Sequence, residues 1–270
     1  MHRPNNLQSL AVHLIRSFLF AILLTLITVP YAIFATLIFW LPPMTRHRLI
    51  TSWVPVMMWV IRHVLGIRYR VIGAENMPTV PAVILAKHQS AWETIALQQI
   101  FPPLCYVLKR ELLRVPFFGW GLASIPGIAI DRAAGKDALS QVVEQGRQRL
   151  KEGLWVAVFP EGTRVAPGTV RRYKPGGAIL AKRAGVPVVP VAHNAGEFWR
   201  RNAFIKRPGE IIVSIGPAID VKGVKAEEIN LRAEAWIEGE MRRLFPHHYA
   251  GEAAAGSPAQ GGDAGDGESG

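Results

Sequence analysis

Apolar residues crowd the start of the chain. Residues 17–45, SFLFAILLTLITVPYAIFATLIFWLPPMT, are 29 positions without Asp, Glu, Lys or Arg. At 1.5 Å of rise per helical residue, about 20 residues cross the hydrocarbon core of a bilayer, so this stretch predicts a membrane helix. Pro30 divides it, which leaves one kinked spanning helix and a shallow helical hairpin both open. The run exceeds the ~7–15 apolar residues of a signal peptide, and no A-x-A site follows it. Arg3 and Arg16 precede it and Arg46 and Arg48 follow it, so the positive-inside rule assigns no orientation. The next stretch, RLITSWVPVMMWVIRHVLGI at 48–67, reads either as a core-packing helix or as one lying in the membrane interface, where Trp prefers to sit. Pro55 blurs its helical phase.

From Ile67 onward the pattern changes to short β-rich runs separated by helical segments. Strands are expected at 68–73, 82–86, 104–109, 127–130, 154–159, 186–192 and 210–216. Helices are expected at 90–101, 135–153 and 176–185, with an amphipathic closing helix at 226–246. In the second of these, Ala138, Val142, Val143 and Leu150 keep helical spacing, Asp137 sits in the first turn and Gly153 follows the end. Such alternation predicts an α/β domain built on a mostly parallel sheet flanked by helices. The expected division is a membrane-associated helical segment at 1–66, the α/β domain at 67–249, and a disordered acidic Gly/Ala-rich tail at 250–270.

Charge sharpens this picture. The net charge is +11, but Glu252, Asp263, Asp266 and Glu268 all lie in the tail; without them, 31 basic and 16 acidic residues leave +15. So basic a body seeks phosphate, in nucleic acid, anionic lipid or a small substrate. No basic helix or RNP-like aromatic pattern appears, and the apolar start favours the lipid partners over nucleic acid. Cys105 is the only cysteine, so an intrachain disulfide is excluded, and a packing role is expected for it.

In a parallel α/β sheet, functional groups gather where strands end and helices begin. In ILAKHQSAWET, His88 follows an apolar strand and precedes a helix that Ser90 could cap, with Glu93 in that helix's first turns. A carboxylate on one imidazole nitrogen fixes the tautomer and leaves the other nitrogen free to take a proton, as the activation of a hydroxyl nucleophile requires. The same residues would also serve merely to cap a helix. Three further segments bear on the choice. GIAIDRA places Asp131 and Arg132 after a strand. FPEGTR places Glu161, Gly162, Thr163 and Arg164 in a tight turn. YKPGG puts Lys174 before two glycines that open a helix. Together they offer guanidinium forks and close backbone N–H groups to an anion.

In these blocks and their order, the chain from about Ile72 to Ala192 resembles the 1-acyl-sn-glycerol-3-phosphate acyltransferases of the glycerolipid acyltransferase group: HQSAWE, GIAIDR, FPEGTR and VPVVPVA match the family's four motifs. The resemblance implies a membrane-associated α/β enzyme that moves an acyl group from acyl-CoA or acyl carrier protein to the sn-2 hydroxyl of lysophosphatidic acid, giving phosphatidic acid in phospholipid biosynthesis. It makes His88 the general base and Glu93 its orienting partner. For substrate binding it offers Arg164, in a turn shaped by Glu161, Gly162 and Thr163, then Arg132 beside Asp131, and Lys109 in VLKREL. Two departures stand out: the family's first motif most often ends in Asp rather than Glu93, and Ala129 replaces a larger residue.

The expected partners are a lysophospholipid acceptor, an acyl thioester donor, acyl carrier protein if that carries the acyl group, and the bilayer itself. No cofactor and no metal are expected, since His247 and His248 are adjacent in what reads as a tail and the histidines form no ligand-spaced cluster. The bases in TRHRL, LKREL and RRYK predict a body facing anionic lipid at the cytoplasmic face of the inner membrane. Rival acceptors are glycerol-3-phosphate and a lyso-ornithine lipid. A serine lipid hydrolase is disfavoured because no G-x-S-x-G elbow occurs, and a non-catalytic anionic-lipid-binding protein would leave His88 and Glu93 without a purpose.

Overall fold

A computed structural model describes residues 6–131 and 136–250; the expected tail at 251–270 lies outside them. The apolar start is one continuous helix, α1 (Asn6–Leu37), which carries Pro30 inside it. An 18-residue window within residues 8–37 has a mean hydropathy of 2.4, and the length of the helix suits a bilayer. The chain turns at 38–42 and folds back through α2 (Pro43–Thr51) and α3 (Trp53–Val60), followed by a π turn at Ile61–Leu65. The return is pinned to α1 where Trp53 Nε1 donates to Thr28 Oγ1 at 3.2 Å. Pro55 falls in the first turn of α3, where its missing N–H has no helical partner to lose. Core packing accounts for one side of this helix, where Val54, Met57, Met58 and Val60 are buried; Val56 and Trp59 are exposed.

The remainder alternates as its apolar runs require. In chain order come β1 (Ile67–Ile72), β2 (Val83–Ala86), α4 (Trp92–Ile100), β3 (Leu104–Lys109), α5 (Phe118–Ala123), β4 (Ile128–Ile130), α6 (Lys136–Lys151), β5 (Trp155–Val158), α7 (Gly176–Ala184), β6 (Val188–His193), α8 (Ala195–Phe198), β7 (Gly209–Ile215) and α9 (Ala226–Leu244). All seven expected strands are present within two residues at either end. The two short helices α5 and α8 are additions, because neither has the length to show a helical period.

The seven strands form one sheet in the order β1-β7-β6-β2-β5-β3-β4. Every pairing is parallel except β6 with β7. Side chains alternate between two covered faces. Ile84 and Ala86 of β2 join one core with α3 and α4, and Val83 and Leu85 join the other with α6, α7 and α9. Gly177 allows α7 to approach this closely, since a Cβ there would lie 2.5 Å from Leu85 Cδ2. The carboxyl ends of the central strands β2, β5 and β3 therefore open side by side, and the sequence blocks singled out above begin there.

α1 is fastened to this body. Ser17 Oγ accepts the Lys206 N–H at 2.9 Å, and Phe20 meets Trp199 edge-on with ring centroids 5.2 Å apart. His47 of α2 is buried and donates from Nε2 to the Leu104 carbonyl of β3 at 2.9 Å.

Candidate active site

β2 ends at Ala86, and the chain runs through Lys87 and His88 into α4. Helix starts leave N–H groups without helical partners. Here Ser90 Oγ accepts the Trp92 N–H at 2.9 Å, and Glu93 Oε1 accepts those of Gln89 and Ser90 at 2.9 and 2.7 Å. The same oxygen accepts the His88 Nδ1–H at 2.9 Å. Capping and orienting are therefore one arrangement, and the extra methylene of glutamate over aspartate does not prevent it. Since a carboxylate only accepts, Nδ1 carries the proton and Nε2 is left for chemistry. The ring lies against Phe159, centroids 4.0 Å apart and planes 15° apart, which fixes its tilt.

Glu93 is wholly buried. Burial alone would raise its pKa, yet the His88 hydrogen bond, the nearby His193 and His88 rings and the Ser90 N–H hold it below the ordinary carboxylate value. His193, also buried, donates from Nε2 to the Lys87 carbonyl at 2.8 Å and accepts the Ala195 N–H on Nδ1 at 3.3 Å. Burial lowers its pKa, which agrees with that neutral tautomer.

A second buried cluster lies beneath the backbone of His88. Lys87 Nζ is 3.1 Å from Glu161 Oε1 and 2.6 Å from Glu238 Oε1 on α9, and none of the three is exposed by more than a tenth. Lys87 also donates to the Thr169 carbonyl at 3.1 Å, and Tyr173 donates its O–H to Glu238 Oε1 at 2.9 Å. Glu161 Oε2 accepts the His88 N–H at 2.9 Å. Two carboxylates share one ammonium here. Burial, with Glu238 adding to it against the pull of Lys87, raises Glu161 to a pKa of about 7. Thus Glu161, read from sequence as part of a substrate-binding turn, points inward and does not line the cavity; its visible task is to hold Lys87 and the His88 backbone. Lys87, Glu238 and Tyr173 went unnoticed in the sequence. The available signals were a lysine directly after an apolar strand and a glutamate beside Ile237 and Met241 on the apolar side of α9.

His88 opens onto a cavity of about 1000 Å³. One wall is apolar and comes from α1 and α3, including Leu24, Val29 and Val54; Lys109, Arg164 and Lys174 also line the cavity. Gly162 has φ +70°, which favours glycine, and a Cβ there would come within 3.1 Å of Lys174 Nζ. Lys174, named in the sequence only as preceding the glycines, thus joins Gly162 and Arg164 at the cavity. Lys109 pairs with Glu111 at 3.0 Å. A cavity lined mostly by apolar residues, with three cations and an imidazole among its lining, fits an amphiphile with an anionic head.

Other predicted residues stand further off. Thr163 is half-buried in its turn and does not line the cavity. Asp131 follows β4, its N–H donating to Gln141 Oε1 at 3.3 Å, and it too lies outside the lining. Arg132 falls outside the described residues. Cys105 is buried, and burial pushes its thiol up to about 12, which suits packing and not attack. His247 and His248 are not loose: they form a 3₁₀ turn against α8, with Nε2 atoms 3.2 and 2.7 Å from Glu197 Oε1.

Comparison with known proteins shows what the chain is similar to. A family model described as Acyltransferase matches residues 68–194. The chain is 46% identical over 243 residues to a 1-acyl-sn-glycerol-3-phosphate acyltransferase of Pseudomonas aeruginosa, covering 87% of this chain and 93% of that protein. It is 30% identical over 188 residues to the alpha form of the mouse, Mus musculus, covering 68% of this chain and 66% of that protein. Among solved structures, the 1-acyl-sn-glycerophosphate acyltransferase of Thermotoga maritima superposes with a TM-score of 0.73 at 24% identity, covering 86% of this chain and 95% of that one. That likeness shows the shared fold.

Proposed function

The chain belongs to the 1-acyl-sn-glycerol-3-phosphate acyltransferase family, and from that premise we propose how its residues carry out the transfer of an acyl group to lysophosphatidic acid, giving phosphatidic acid. The observation that carries the mechanism is the 2.9 Å bond from His88 Nδ1 to Glu93 Oε1, beside a largely apolar cavity that His88 lines. His88 Nε2 takes the proton of the acceptor's sn-2 hydroxyl as its oxygen attacks the carbonyl carbon of the acyl thioester. Glu93, ionised, stabilises the imidazolium that results. The tetrahedral adduct then collapses, the carbon–sulfur bond breaks, and the thiolate leaves with the proton returned from Nε2. Ester and thiol are the products, and no acyl-enzyme is formed.

Arg164 is the first choice for the acceptor's phosphate, because its guanidinium can engage two oxygens at once. Lys174 and Lys109 complete the charge. The donor is acyl-CoA or acyl carrier protein. Membrane association follows from α1, and the basic body favours the cytoplasmic leaflet.

The test is acyl transfer by purified wild type and His88→Ala, offered lysophosphatidic acid, glycerol-3-phosphate and lyso-ornithine lipid with each donor. Wild type is expected to prefer lysophosphatidic acid, and His88→Ala to lose about 10²–10⁴-fold in rate. Preference for another acceptor would move the substrate and keep the mechanism. Undiminished transfer by His88→Ala would overturn the base.

A further inference from the structure

One stretch of the cavity lining presents apolar side chains both inward and outward. Between β3 and β4 the chain runs through LLRVPFFGWGLA, residues 112–123. From this segment Leu112, Phe117, Gly121 and Leu122 line the cavity, whereas Val115 and Trp120 do not. Val115 is 42% exposed and Trp120 45%. The segment is built, not slack. The Gly119 N–H donates to the Val115 carbonyl at 2.7 Å, and that of Gly121 to Phe117 at 3.0 Å. Phe117 holds φ +59° and meets Trp120 with ring centroids 4.9 Å apart. A Cβ on Gly119 would stand 2.5 Å from the Leu113 carbonyl oxygen, so the tight turn excludes any other residue there.

This fold would be costly in water, because it spends backbone strain and a glycine to present large apolar groups outward. It is reasonable if apolar surroundings lie outside. The segment sits beside α1: a Cβ on Gly121 would be 3.9 Å from Ala32. The α1 surface around it is equally apolar outward, with Ile33 and Leu37 exposed. Lys109 and Arg110 precede the segment and Arg114 lies within it, all exposed; with Glu111, which pairs with Lys109, they leave the margin net positive, as is common where a protein enters an anionic interface.

We infer that residues 112–120 form a second membrane-entry element, dipping Val115 and Trp120 into the same anionic lipid leaflet that receives α1 and so setting the mouth of the cavity at the bilayer surface. The occupant is lipid rather than a second copy of the chain, because the patch continues the apolar face of a helix of bilayer length and carries a basic border that would repel its own kind.

Spin labels give a test that does not depend on acyl transfer. Cys105 is buried and unreactive, so Val115→Cys, Trp120→Cys and, as a water-exposed reference, Lys222→Cys each present one labelling site. In phosphatidylglycerol/phosphatidylcholine vesicles, the labels at 115 and 120 are expected to be relaxed more by oxygen than by a water-soluble nickel chelate, and the label at 222 the reverse. Nickel accessibility at both 115 and 120 equal to that at 222, with the protein still on the vesicles, would overturn the inference. So would strong dipolar broadening between labels at 120, which would assign the patch to a contact between copies. The two exposed positions are independent, so failure of one variant to fold leaves the other to decide.

Discussion

His88 stands between two buried carboxylates of opposite character. Glu93, on the ring side, has three donors converging on one oxygen and is held below the ordinary carboxylate pKa. Glu161, on the backbone side, shares a single ammonium with Glu238 and is raised to about 7. Both are fully buried, so burial does not decide the charge. The number of donors per carboxylate does: the ring side is supplied to fix an anion, and the backbone side is one positive charge short. On the proposed mechanism the ring side serves proton transfer, whereas the backbone side holds its elements together.

The sharpest way to break the contrast is to remove the shared cation. Lys87→Met leaves two buried carboxylates facing each other, and losing one partner of a buried pair costs about 3–5 kcal/mol. The expected result is a fall of that size in unfolding free energy by urea titration at pH 8, with a smaller fall at pH 5, where the carboxylates protonate. Equal losses at both pH values would show that the cluster holds no such charge imbalance. Next in size, Glu93→Gln keeps the shape but removes the anion that stabilises the imidazolium; kcat is expected to drop about 10²-fold with little change in KM. An unchanged kcat would reduce Glu93 to a helix cap.

The smallest effect concerns pH. A carboxyl whose folded pKa is raised binds its proton more tightly when folded. The stability it lends is complete below its unfolded value of about 4.5 and is lost as pH rises through about 7. Glu93, with its folded pKa lowered, behaves the opposite way: its contribution is present above about 4.5 and vanishes as pH falls through the lower folded value. Glu161→Gln should therefore gain on wild type in melting temperature between pH 5 and 8, with the gain growing as pH rises. A difference that is flat across that range would mean that Glu161 stays ionised throughout.

The two pockets also differed in how far the sequence revealed them. Glu93 lies five residues from His88, within one strand-to-helix passage, so local spacing was enough to find the pair. Lys87 and Glu238 are 151 residues apart, and only the packing of α9 across the sheet brings them together. Glu161 does lie in the turn that its motif suggests, but its side chain is buried against Lys87 while Gly162 and Arg164 line the cavity, and local sequence does not reveal that direction. The central strands, by contrast, were legible locally: β2 and β6 are short apolar runs that the sheet buries on both faces. The 112–123 segment was not, since its fold rests on a positive φ at Phe117 and on glycines whose closeness to other atoms leaves no mark in periodicity.

The fastening of α1 to the catalytic body, through Ser17, Phe20 and its share of the cavity wall, has a kinetic meaning. An enzyme that cannot lift away from its helix meets its acceptor by lateral encounter in two dimensions. The concentration that governs its rate is then the mole fraction of lysolipid in the surface, and diluting that surface with inert lipid slows the reaction even when the amount of substrate per millilitre is unchanged.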